Sequence, residues 1–314
     1  MVGIIIINYN NPSDTINCIE SIEQFNTEKI KYVIVDNNST DDSRNVLSTY
    51  LQSHFCDNYL EIVENTNITT LLDVTFLKSK SNCGYAQGNN KGLNLLYQDS
   101  SIDYILILNN DILFIEDIIP LLIVNVDKIP NVGIVSPMLL KKDGISIDFN
   151  CARKNVTVKD IFISFFFFYL DPFNLKNKLN KGCFLILEDE RLLVQEKIAI
   201  DLPSGSCMLM RKSLCSQISG FDPNTFLYYE ENILYHKIKS VRKQNYLLPN
   251  LKCIHLGAAS THKMKGFETL KASVNSAQYY INKYSDANRL NKWLFSLIRL
   301  IFIVEIKLQK NITK

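Results

Sequence analysis

The sequence predicts an α/β fold with a mostly parallel central β-sheet, and two features of its first half support that prediction. Short, almost entirely apolar runs recur between residues 2 and 108, each about the length of one strand. Patterns typical of helices separate these runs. Strands this apolar are typical of a sheet covered on both faces, and regular alternation of strands and helices is typical of parallel α/β sheets.

The predicted elements follow one another in order along the chain. The first half contains strands at Val2–Ile7, Tyr32–Val35, Val74–Leu77 and Tyr104–Leu108, with helices at Pro12–Phe25, Asp42–Gln52 and Gln87–Tyr97. The second half contains strands near Cys207–Met210, Tyr246–Leu248 and Lys252–His255, with helices near Asn232–Arg242 and Leu270–Lys283. Between the halves lies the apolar run Ile161–Leu170. It is either a surface that faces a membrane or a lipid acceptor, or a buried helix or strand.

Composition and charge exclude several classes of protein. The 314 residues carry a formal net charge of only +2, so no global field favours nucleic acid as a partner. The eight cysteines include no C-x-x-C pair, which argues against a zinc module, and we interpret them as buried or inert thiols in a reducing cytoplasm. The N-terminus has the pattern of a strand rather than of a signal peptide, and no run approaches the roughly 20 apolar residues of a spanning helix. We therefore expect a cytoplasmic protein.

Polar residues directly follow three of the predicted strands. They are Asn8-Tyr9-Asn10, the segment Asp36–Asp41, and Asn109-Asn110-Asp111. One Asp after a strand is usually a turn or cap residue. Because ligands of open α/β sheets bind outside the carboxyl ends of the parallel strands, three such clusters predict one polar crevice at that edge.

Two further segments have the composition of a ligand site. Asn82–Asn90 combines glycines, which allow the backbone to approach a ligand closely, with Asn amides, which donate and accept hydrogen bonds. Its spacing matches neither a dinucleotide-binding nor a phosphate-loop motif. The pair Glu230-Glu231 follows an aromatic run at a predicted helix start. Acidic residues there either favour the helix dipole or place a general base at a pocket wall, and the sequence alone leaves both open.

The C-terminal segment Asn291–Gln309 has an apolar helical pattern with a narrow polar stripe that contains Lys292, Ser296, Arg299 and Lys310. We expect a helix that lies in the membrane interface, with its basic residues toward anionic headgroups. The alternative is a helix packed against the domain or against a dimer partner.

In their order, these motifs resemble those of the family 2 glycosyltransferases, and among them a rhamnosyltransferase-like subgroup of bacterial surface polysaccharide synthesis. The matching segments are Ile4–Asn10, Val33–Ser43, Asn82–Gly92, Leu106–Asp111, Ser204–Leu209, Gly220–Asp222, Phe226–Glu231 and His255–Ser260. The resemblance implies a GT-A fold over residues 1–285, which is a Rossmann-like, mixed, mostly parallel sheet flanked by helices. The nucleotide-binding half would be 1–140, the acceptor-side half 141–285, and a C-terminal helical extension 286–314.

The resemblance also implies a role for each motif. Residues expected at the nucleotide sugar are Asn8, Asn10, Asp36, Asn38, Asn82, Gly84, Gly88, Asn89, Asn109 and Asn110, with Asp36 contacting the ribose or the base. Asp111, Asn109 and His255 would hold Mg²⁺ or Mn²⁺, which suit such ligands. Because Asn109 stands where the family's motif usually has Asp, Asp111 is the anchor of this set. The catalytic base would be Glu231, where the family usually has Asp, or the adjacent Glu230.

The implied function is inverting transfer of a sugar from a UDP- or dTDP-linked donor to a saccharide acceptor, expected to be lipid-linked. Peripheral contact with the inner face of the cytoplasmic membrane would accompany it. A function of another class is also open: a catalytically inactive subunit that binds nucleotide sugar or acts as a scaffold. The presence of Asp36, Asp111 and the Glu230-Glu231 pair argues against that alternative. A nucleotidyltransferase is disfavoured because the sequence has no basic signature loop near its N-terminus.

Overall fold

The computed structural model of the protein describes residues 1–66, 68, 70–166, 183–257 and 266–312, and its centre is one mixed β-sheet. The strands of the described chain are β1 (Val2–Asn8), β2 (Ile30–Asp36), β3 (Tyr59–Val63), β4 (Val74–Lys78), β5 (Tyr104–Asn109), β6 (Ile112–Phe114), β7 (Val132–Leu140), β8 (Ala152–Arg153), β9 (Ile198–Ile200), β10 (Leu202–Pro203), β11 (Cys207–Arg211) and β12 (Gln244–His255). All of them belong to the central sheet except β8 and β10, which pair with each other.

Helices flank this sheet. Those of the described chain are α1 (Pro12–Phe25), α2 (Ser43–Phe55), α3 (Gly84–Leu96), α4 (Ile119–Lys128), α5 (Val158–Phe166), α6 (Leu185–Glu188), α7 (Lys212–Gln217), α8 (Glu230–Ser240), α9 (Gly266–Lys283) and α10 (Arg289–Ile312). Helix α1 begins at Pro12, whose fixed φ suits the first position of a helix.

The strand order brings the predicted polar clusters to one edge of the sheet. Strands β3, β4, β2, β1 and β5 are neighbours in that order, and all are parallel. Their register pairs Asn8 with Asp36 and Ile7 with Asn109. Strand β12 is parallel to β7, which the antiparallel strand β11 separates from β5. The carboxyl ends of β1, β2, β5 and β12 therefore lie at the same edge.

The central strand β1 is buried on both faces, as its apolar sequence predicts. Ile4 and Ile6 contact one hydrophobic cluster, which includes side chains of α1 and α2. Ile5 belongs to the cluster on the opposite face, which includes side chains of α3. This alternation follows from the two-residue period of a strand. The predicted mixed, mostly parallel sheet with helices on both faces is confirmed.

Some elements differ from the sequence prediction. Strand β7 is buried along all of its nine residues, but the sequence did not mark it because Gly133 and Pro137 interrupt its apolar pattern. Pro137 is tolerated because the β7–β12 ladder is irregular directly beside it. The predicted strands Tyr246–Leu248 and Lys252–His255 are two parts of the single strand β12, which that irregularity divides. Strands β3 and β6 and helix α4 were also not predicted.

Helix α10 is amphipathic, as predicted, but its apolar side chains lie both against the domain and on the exposed surface. One face buries Phe295, Phe302 and Ile306, and Phe295 contacts Phe165 of α5 edge to face. The other face exposes a row of apolar side chains, here called the α10 stripe. The α10 stripe consists of Leu290, Trp293, Leu294, Leu297, Leu300, Ile301, Val304 and Leu308. Among the helices that the structure describes, none has the length and hydropathy needed to cross a membrane.

The apolar run Ile161–Leu170 is a helix in its first part. Ile161 and Phe165 of α5 are buried against α9 and α10, in agreement with the buried alternative, whereas Phe166 is 74% exposed. Residues 167–170 of this run lie outside the described residues, as do residues 258–260 of the motif that begins at His255.

Candidate active site

A cleft of about 320 Å³ opens at the carboxyl edge of the parallel strands. Segments from both halves of the chain form its walls, so the cleft exists only in the folded protein. The lining residues are Ile7, Tyr9, Asn37, Asn82, Gly84, Tyr85, Asn109, Asn110, Asp111, Gly205, Ser206, Phe226, Leu227, Tyr228, Glu230, Glu231 and His255. A cleft at this edge of an α/β sheet is the expected place for a ligand.

The β5–β6 turn places three predicted residues at the cleft. The Asn109 N–H donates to the Ser206 carbonyl (2.9 Å), and the Asn109 amide donates to Ser206 Oγ (3.3 Å). The Asn110 amide donates away from the cleft, to Thr15 Oγ1 (3.0 Å). Asp111 is 6% exposed, and its Oδ1 has no hydrogen-bond partner in the described chain. Because an unpaired buried carboxylate oxygen is costly, Asp111 is the residue of this turn best suited to bind a ligand.

His255, the last residue of β12, lies between two carboxylates. Its Nε2 is 3.4 Å from Asp111 Oδ2 and 3.3 Å from Ser206 Oγ, and its Nδ1 is 2.8 Å from Asp148 Oδ2. Burial acts to lower the pKa of His255, but the contacts with Asp111 and Asp148 outweigh it and raise the pKa to about 9. The imidazole is therefore fixed at both nitrogens.

The donor set around Asp111 fits a divalent cation in part. It offers the unpaired Oδ1 of Asp111 and the imidazole of His255, and carboxylate and imidazole suit Mn²⁺ while carboxylate suits Mg²⁺. Within the described ranges, no group of three or more Asp, Glu, His or Cys side chains has the arrangement of a complete metal site. A cation here would need further ligands from a substrate phosphate or from water, as Mg²⁺ commonly does.

The predicted acidic pair begins helix α8, and its two members have different surroundings. Glu230 is 6% exposed, and its Oε1 has no partner in the described chain. Burial, together with the charge of Glu231, raises the pKa of Glu230 to about 8. Glu231 Oε1 accepts a hydrogen bond from the Gly205 N–H (3.2 Å) and lies 3.3 Å from the Arg153 guanidinium. One carboxyl group is thus neutral near pH 7, and the other has a cationic partner.

The chain enters this acidic pair through a strained backbone. Tyr228 (φ 73°) and Tyr229 (φ 67°) are both left-handed, which is uncommon for bulky residues. Tyr229 is held by packing against Tyr280, with ring centroids 5.4 Å apart. Such strain persists only where surrounding contacts enforce it, and it concentrates at functional sites. The conformation aims Tyr228 and both carboxyl groups at the cleft.

The glycine at the start of α3 allows the backbone of this helix to lie close to the backbone of another segment of the protein. Gly84 has a φ of +85°, and a Cβ there would lie 1.9 Å from the Phe226 carbonyl oxygen. The Tyr85 N–H donates to that same carbonyl (3.0 Å). The Asn82 side chain accepts from the Gly84 N–H (2.9 Å) and so fixes the helix start. The close backbone approach that the glycine allows therefore joins two walls of the cleft, the start of α3 and the segment that contains Phe226.

Asn8 and Asp36 lie beneath the cleft wall, and both are fully buried. The Asn8 amide donates to Asp36 Oδ1 (3.2 Å), Arg44 Nε donates to Asp36 Oδ2 (2.5 Å), and the Ser39 hydroxyl also donates to Asp36. The expected contact of Asp36 with the ribose or base stays a prediction. In this structure the carboxylate binds Asn8 of β1, Ser39 of the β2–α2 loop and Arg44 of α2.

Four other residues predicted at the nucleotide sugar are also not among those that line the cleft. Asn10 (φ 57°) and Asn38 (φ 62°) are left-handed turn residues, a conformation that Asn tolerates well. Gly88 packs against Ile7, and a Cβ at this position would lie only 3.1 Å from Ile7 Cδ1. Asn89 is buried and donates to the backbone carbonyl one turn earlier in α3. Each therefore has a structural reason for its identity.

Several cleft residues were missed by the sequence analysis. Tyr85, Ser206 and Tyr228 stood inside matched motifs, so their position in those motifs was the available signal. Asp148 and Arg153, which contact cleft residues, carried no signal, because the only feature that the sequence showed in the segment 141–200 was the apolar run Ile161–Leu170. Only the folded chain brings them to His255 and Glu231.

Comparison with known proteins agrees with this architecture. Residues 3–219 match the family model described as Glycosyl transferase family 2. The low-salt glycan biosynthesis hexosyltransferase Agl10 of Haloferax volcanii is 24% identical over 231 residues, which cover 73% of this chain and 59% of that protein. The chain thus matches less than two thirds of the length of this relative.

Solved structures with the same fold include two complexes with nucleotide sugars. The mannosyltransferase PcManGT from Pyrobaculum calidifontis, in complex with GDP-Man and Mn²⁺, has a TM-score of 0.54 and 14% identity, over 94% of this chain and 68% of that one. S. aureus TarS 1–349, in complex with UDP-GlcNAc, has a TM-score of 0.53 and 12% identity, over 96% of this chain and 71% of that one. Identities this low show the GT-A fold and no more.

Proposed function

Because the chain belongs to glycosyl transferase family 2, we propose that it moves a sugar from a UDP- or dTDP-linked donor to a saccharide acceptor with inversion at the anomeric carbon. The observation that carries the proposal is that the dipeptide Gly205-Ser206 contacts both chemical centres of the cleft. The Gly205 N–H donates to Glu231 (3.2 Å), and Ser206 Oγ lies 3.3 Å from His255 Nε2. A candidate base and a candidate cation site therefore face the same cleft.

In this proposal Glu231 is the base and Glu230 is its neutral neighbour. The raised pKa of Glu230 keeps that carboxyl group protonated near pH 7, whereas Glu231 is paired with Arg153. The Glu231 carboxylate takes the proton of the acceptor hydroxyl, and the hydroxyl oxygen attacks the anomeric carbon. The bond between that carbon and the diphosphate oxygen breaks with its electron pair, and the nucleoside diphosphate leaves from the opposite face.

Asp111 and His255 are the residues that would hold the divalent cation. When bound, Mg²⁺ or Mn²⁺ would neutralise charge on the diphosphate as it leaves. PcManGT in complex with Mn²⁺ supports a cation in this fold. The Asn109 amide already donates to Ser206, so we expect Asn109 to contribute less than Asp111.

The substrate classes are proposed from the relatives and from the sequence resemblance. The name of the relative from Haloferax volcanii describes a hexosyltransferase of glycan biosynthesis, and the TarS complex contains UDP-GlcNAc. We therefore propose a hexosyl donor and, as the acceptor, a lipid-linked saccharide of surface polysaccharide synthesis. The donor would bind mainly to residues 1–140 and the acceptor to residues 141–285, which supply Glu231 and Arg153.

We further propose that the enzyme binds the inner surface of the cytoplasmic membrane through α10. The α10 stripe leaves a continuous apolar row exposed, and Arg289, Lys292 and Lys307 add positive charge to the same helix. A helix with these features binds in the interface of an anionic bilayer. This position would bring the cleft to a lipid-linked acceptor.

The activity test is a donor panel with the purified chain. UDP-, dTDP- and GDP-linked hexoses are supplied with Mg²⁺ or Mn²⁺, and nucleoside diphosphate release is measured with and without a lipid-linked acceptor. We expect cation-dependent release with one donor class, and a loss of about 10²–10⁴-fold in Glu231→Gln. Asp111→Ala should also abolish release. Full activity in both variants would remove these assignments, and donor binding without release would favour the inactive-subunit alternative.

The membrane test is sedimentation of the full chain with vesicles of phosphatidylglycerol and phosphatidylcholine. Leu300→Glu places a charge in the α10 stripe and should reduce the bound fraction severalfold. Ser296→Glu is the matched control, because it adds the same charge to an exposed site of α10 outside the stripe. Equal binding by both variants, or by a chain that ends at Leu290, would contradict a membrane role for α10.

A further inference from the structure

Asp148 lies beside His255 because of the way two neighbouring strands end. After β7 the chain turns back on itself, with the Lys141 N–H donating to the Ser146 carbonyl (2.7 Å) and the Asp148 N–H donating to the Leu139 carbonyl (2.8 Å). This return fixes Asp148 to the carboxyl end of β7. Strand β12 runs parallel to β7 and pairs Ile254 with Leu140, so its next residue, His255, emerges beside Asp148. The two side chains meet although 107 positions separate them.

Both oxygens of Asp148 have defined partners. Oδ2 lies 2.8 Å from His255 Nδ1, while Oδ1 accepts from the Asn150 N–H (3.1 Å) and the Asn150 amide (2.9 Å). The side chain is 13% exposed. Since each oxygen is held by a different element, the carboxylate has little freedom to rotate away from the imidazole.

The contact of Asp148 with His255 Nδ1 determines which form the other ring nitrogen, Nε2, takes. A carboxylate on Nδ1 accepts the Nδ1 proton, so that Nε2 carries the lone pair when a cation is bound. Nε2 is the atom that faces Asp111 Oδ2 at 3.4 Å. Asp148 and His255 therefore form a carboxylate–histidine pair, and the second nitrogen of that imidazole, Nε2, faces Asp111, the proposed metal ligand.

We infer that Asp148 is a positioning residue, which orients His255 toward the cation held by Asp111 and the substrate diphosphate. This inference rests on the proposed cation site. It is distinct from the second task of Asp148, which is to cap the short 3₁₀ turn Phe149–Cys151 through its contact with the Asn150 N–H. A residue that only capped this turn would affect the stability of the protein and leave cation affinity unchanged.

The loop contains a matched control for that capping task. Asp143 accepts from the Ile145 N–H (2.9 Å) and the Ser146 N–H (2.8 Å), so it also holds a turn with its carboxylate. It is exposed and is not among the residues that line the cleft. Asp143→Asn therefore weakens the loop in the same way as Asp148→Asn without touching His255.

The experiment measures Mn²⁺ affinity rather than turnover. Free Mn²⁺ is followed by electron paramagnetic resonance in titrations of the full chain, alone and with saturating UDP. Asp148→Asn should raise the Mn²⁺ Kd about 10–100-fold, whereas Asp143→Asn should leave it unchanged. Asp148→Glu keeps the negative charge but displaces it, so it should also weaken Mn²⁺ binding. If Asp148→Asn does not fold, Asp148→Glu is measured in its place. In a His255→Ala background, Asp148→Asn should have no further effect.

Three results overturn the inference. If His255→Ala weakens Mn²⁺ binding but both Asp148 variants bind as the unchanged protein does, Asp148 is only a cap. If the Asp148 and His255 effects on the Kd simply multiply in the double variant, Asp148 does not act through the imidazole. If the unchanged protein binds no Mn²⁺ with UDP, the proposed cation site itself fails, and the donor panel shows whether transfer persists without it.

Discussion

Replacing Glu230 with Gln should stabilise the protein, and the gain should grow as the pH rises from about 5 to 8. The folded chain buries this carboxyl group beside Glu231, which raises its pKa from 4.5 to about 8. Between these values the unfolded chain has lost the proton while the folded chain retains it. The unfolded state then binds fewer protons, so the free energy of unfolding falls as the pH increases. Gln is neutral in both states and removes this loss.

The size of the effect follows from the distance between the two pKa values. Each pH unit between them costs the folded state up to about 1.4 kcal/mol, which bounds the total at roughly 5 kcal/mol by pH 8. Relaxation around an ionised Glu230 would reduce this, so we expect Glu230→Gln to gain about 2 kcal/mol at pH 8 and almost nothing near pH 4. The group is 6% exposed, so solvent screening is small.

The assay is urea unfolding of both proteins, followed by circular dichroism at several pH values from 4 to 8. Glu61→Gln serves as a control of opposite sign. Burial acts to raise the pKa of Glu61, but hydrogen bonds from Lys78, Ser48 and Tyr59 lower it below 4.5. Its stabilising contribution is therefore present above that pH and lost in acid, so Glu61→Gln should destabilise at pH 7. A Glu230→Gln difference that does not vary with pH, or that destabilises at pH 8, would refute the neutral state of Glu230.

Three further predictions concern the walls and ligands of the cleft. Gly84→Ala should destabilise the protein by more than about 2 kcal/mol, because its Cβ would overlap the Phe226 carbonyl. Gly144→Ala, with φ +68° but only an ordinary contact of 3.5 Å with Ile254 Cδ1, should cost only about 1 kcal/mol in the same urea titration. Arg153→Met should lower kcat about 10-fold by removing the cationic partner of Glu231, while Arg153→Lys retains most of it; an unchanged kcat in the Met variant would contradict this role. Removing divalent cations with EDTA should abolish nucleoside diphosphate release, and added Mn²⁺ should restore it, whereas release that persists in EDTA would contradict a cation requirement.

The position of the cleft could be predicted from the sequence because it depends on local patterns. An apolar run that ends in polar residues identifies the carboxyl end of a strand, and all such ends of parallel strands meet at one edge. On this basis the sequence located Asn109-Asn110-Asp111 at the site, and the structure places them there. The Glu230-Glu231 pair also lines the cleft, but its local pattern had left open a role limited to the helix dipole, and only the family resemblance implied a place at the site.

The direction in which a side chain points was much less predictable. Asp36 and Asp111 both follow apolar strands, but Asp36 faces Arg44 and Ser39 inside the protein while Asp111 faces the cleft. The difference depends on the loop that follows each strand. After β2 an Asn in the left-handed conformation turns the chain so that Arg44 returns to Asp36, and no periodicity in the sequence encodes that return.

Contacts between segments distant in the sequence were the hardest features to predict. Asp148 reaches His255 because β7 and β12 are paired in one particular register, and β7 itself was not recognised. Arg153 reaches Glu231 from a strand of only two residues, which is too short for any pattern. Both partners belong to the segment 141–200, in which the sequence showed only the apolar run Ile161–Leu170, and they contact the recognised residues His255 and Glu231.

The two unpaired carboxyl oxygens of the cleft show how these long-range contacts divide its chemistry. A buried carboxyl group without a full set of partners must either take up a proton or bind a cation. Burial beside a like charge raises the pKa of Glu230, so it keeps its proton, while Glu231 has Arg153 as a cationic partner. Asp111 lies instead beside an imidazole that a second carboxylate holds in place, which leaves its Oδ1 open to a metal ion. The proposed base and the proposed cation site can therefore coexist in one small cleft because their neighbours impose opposite outcomes on similar groups.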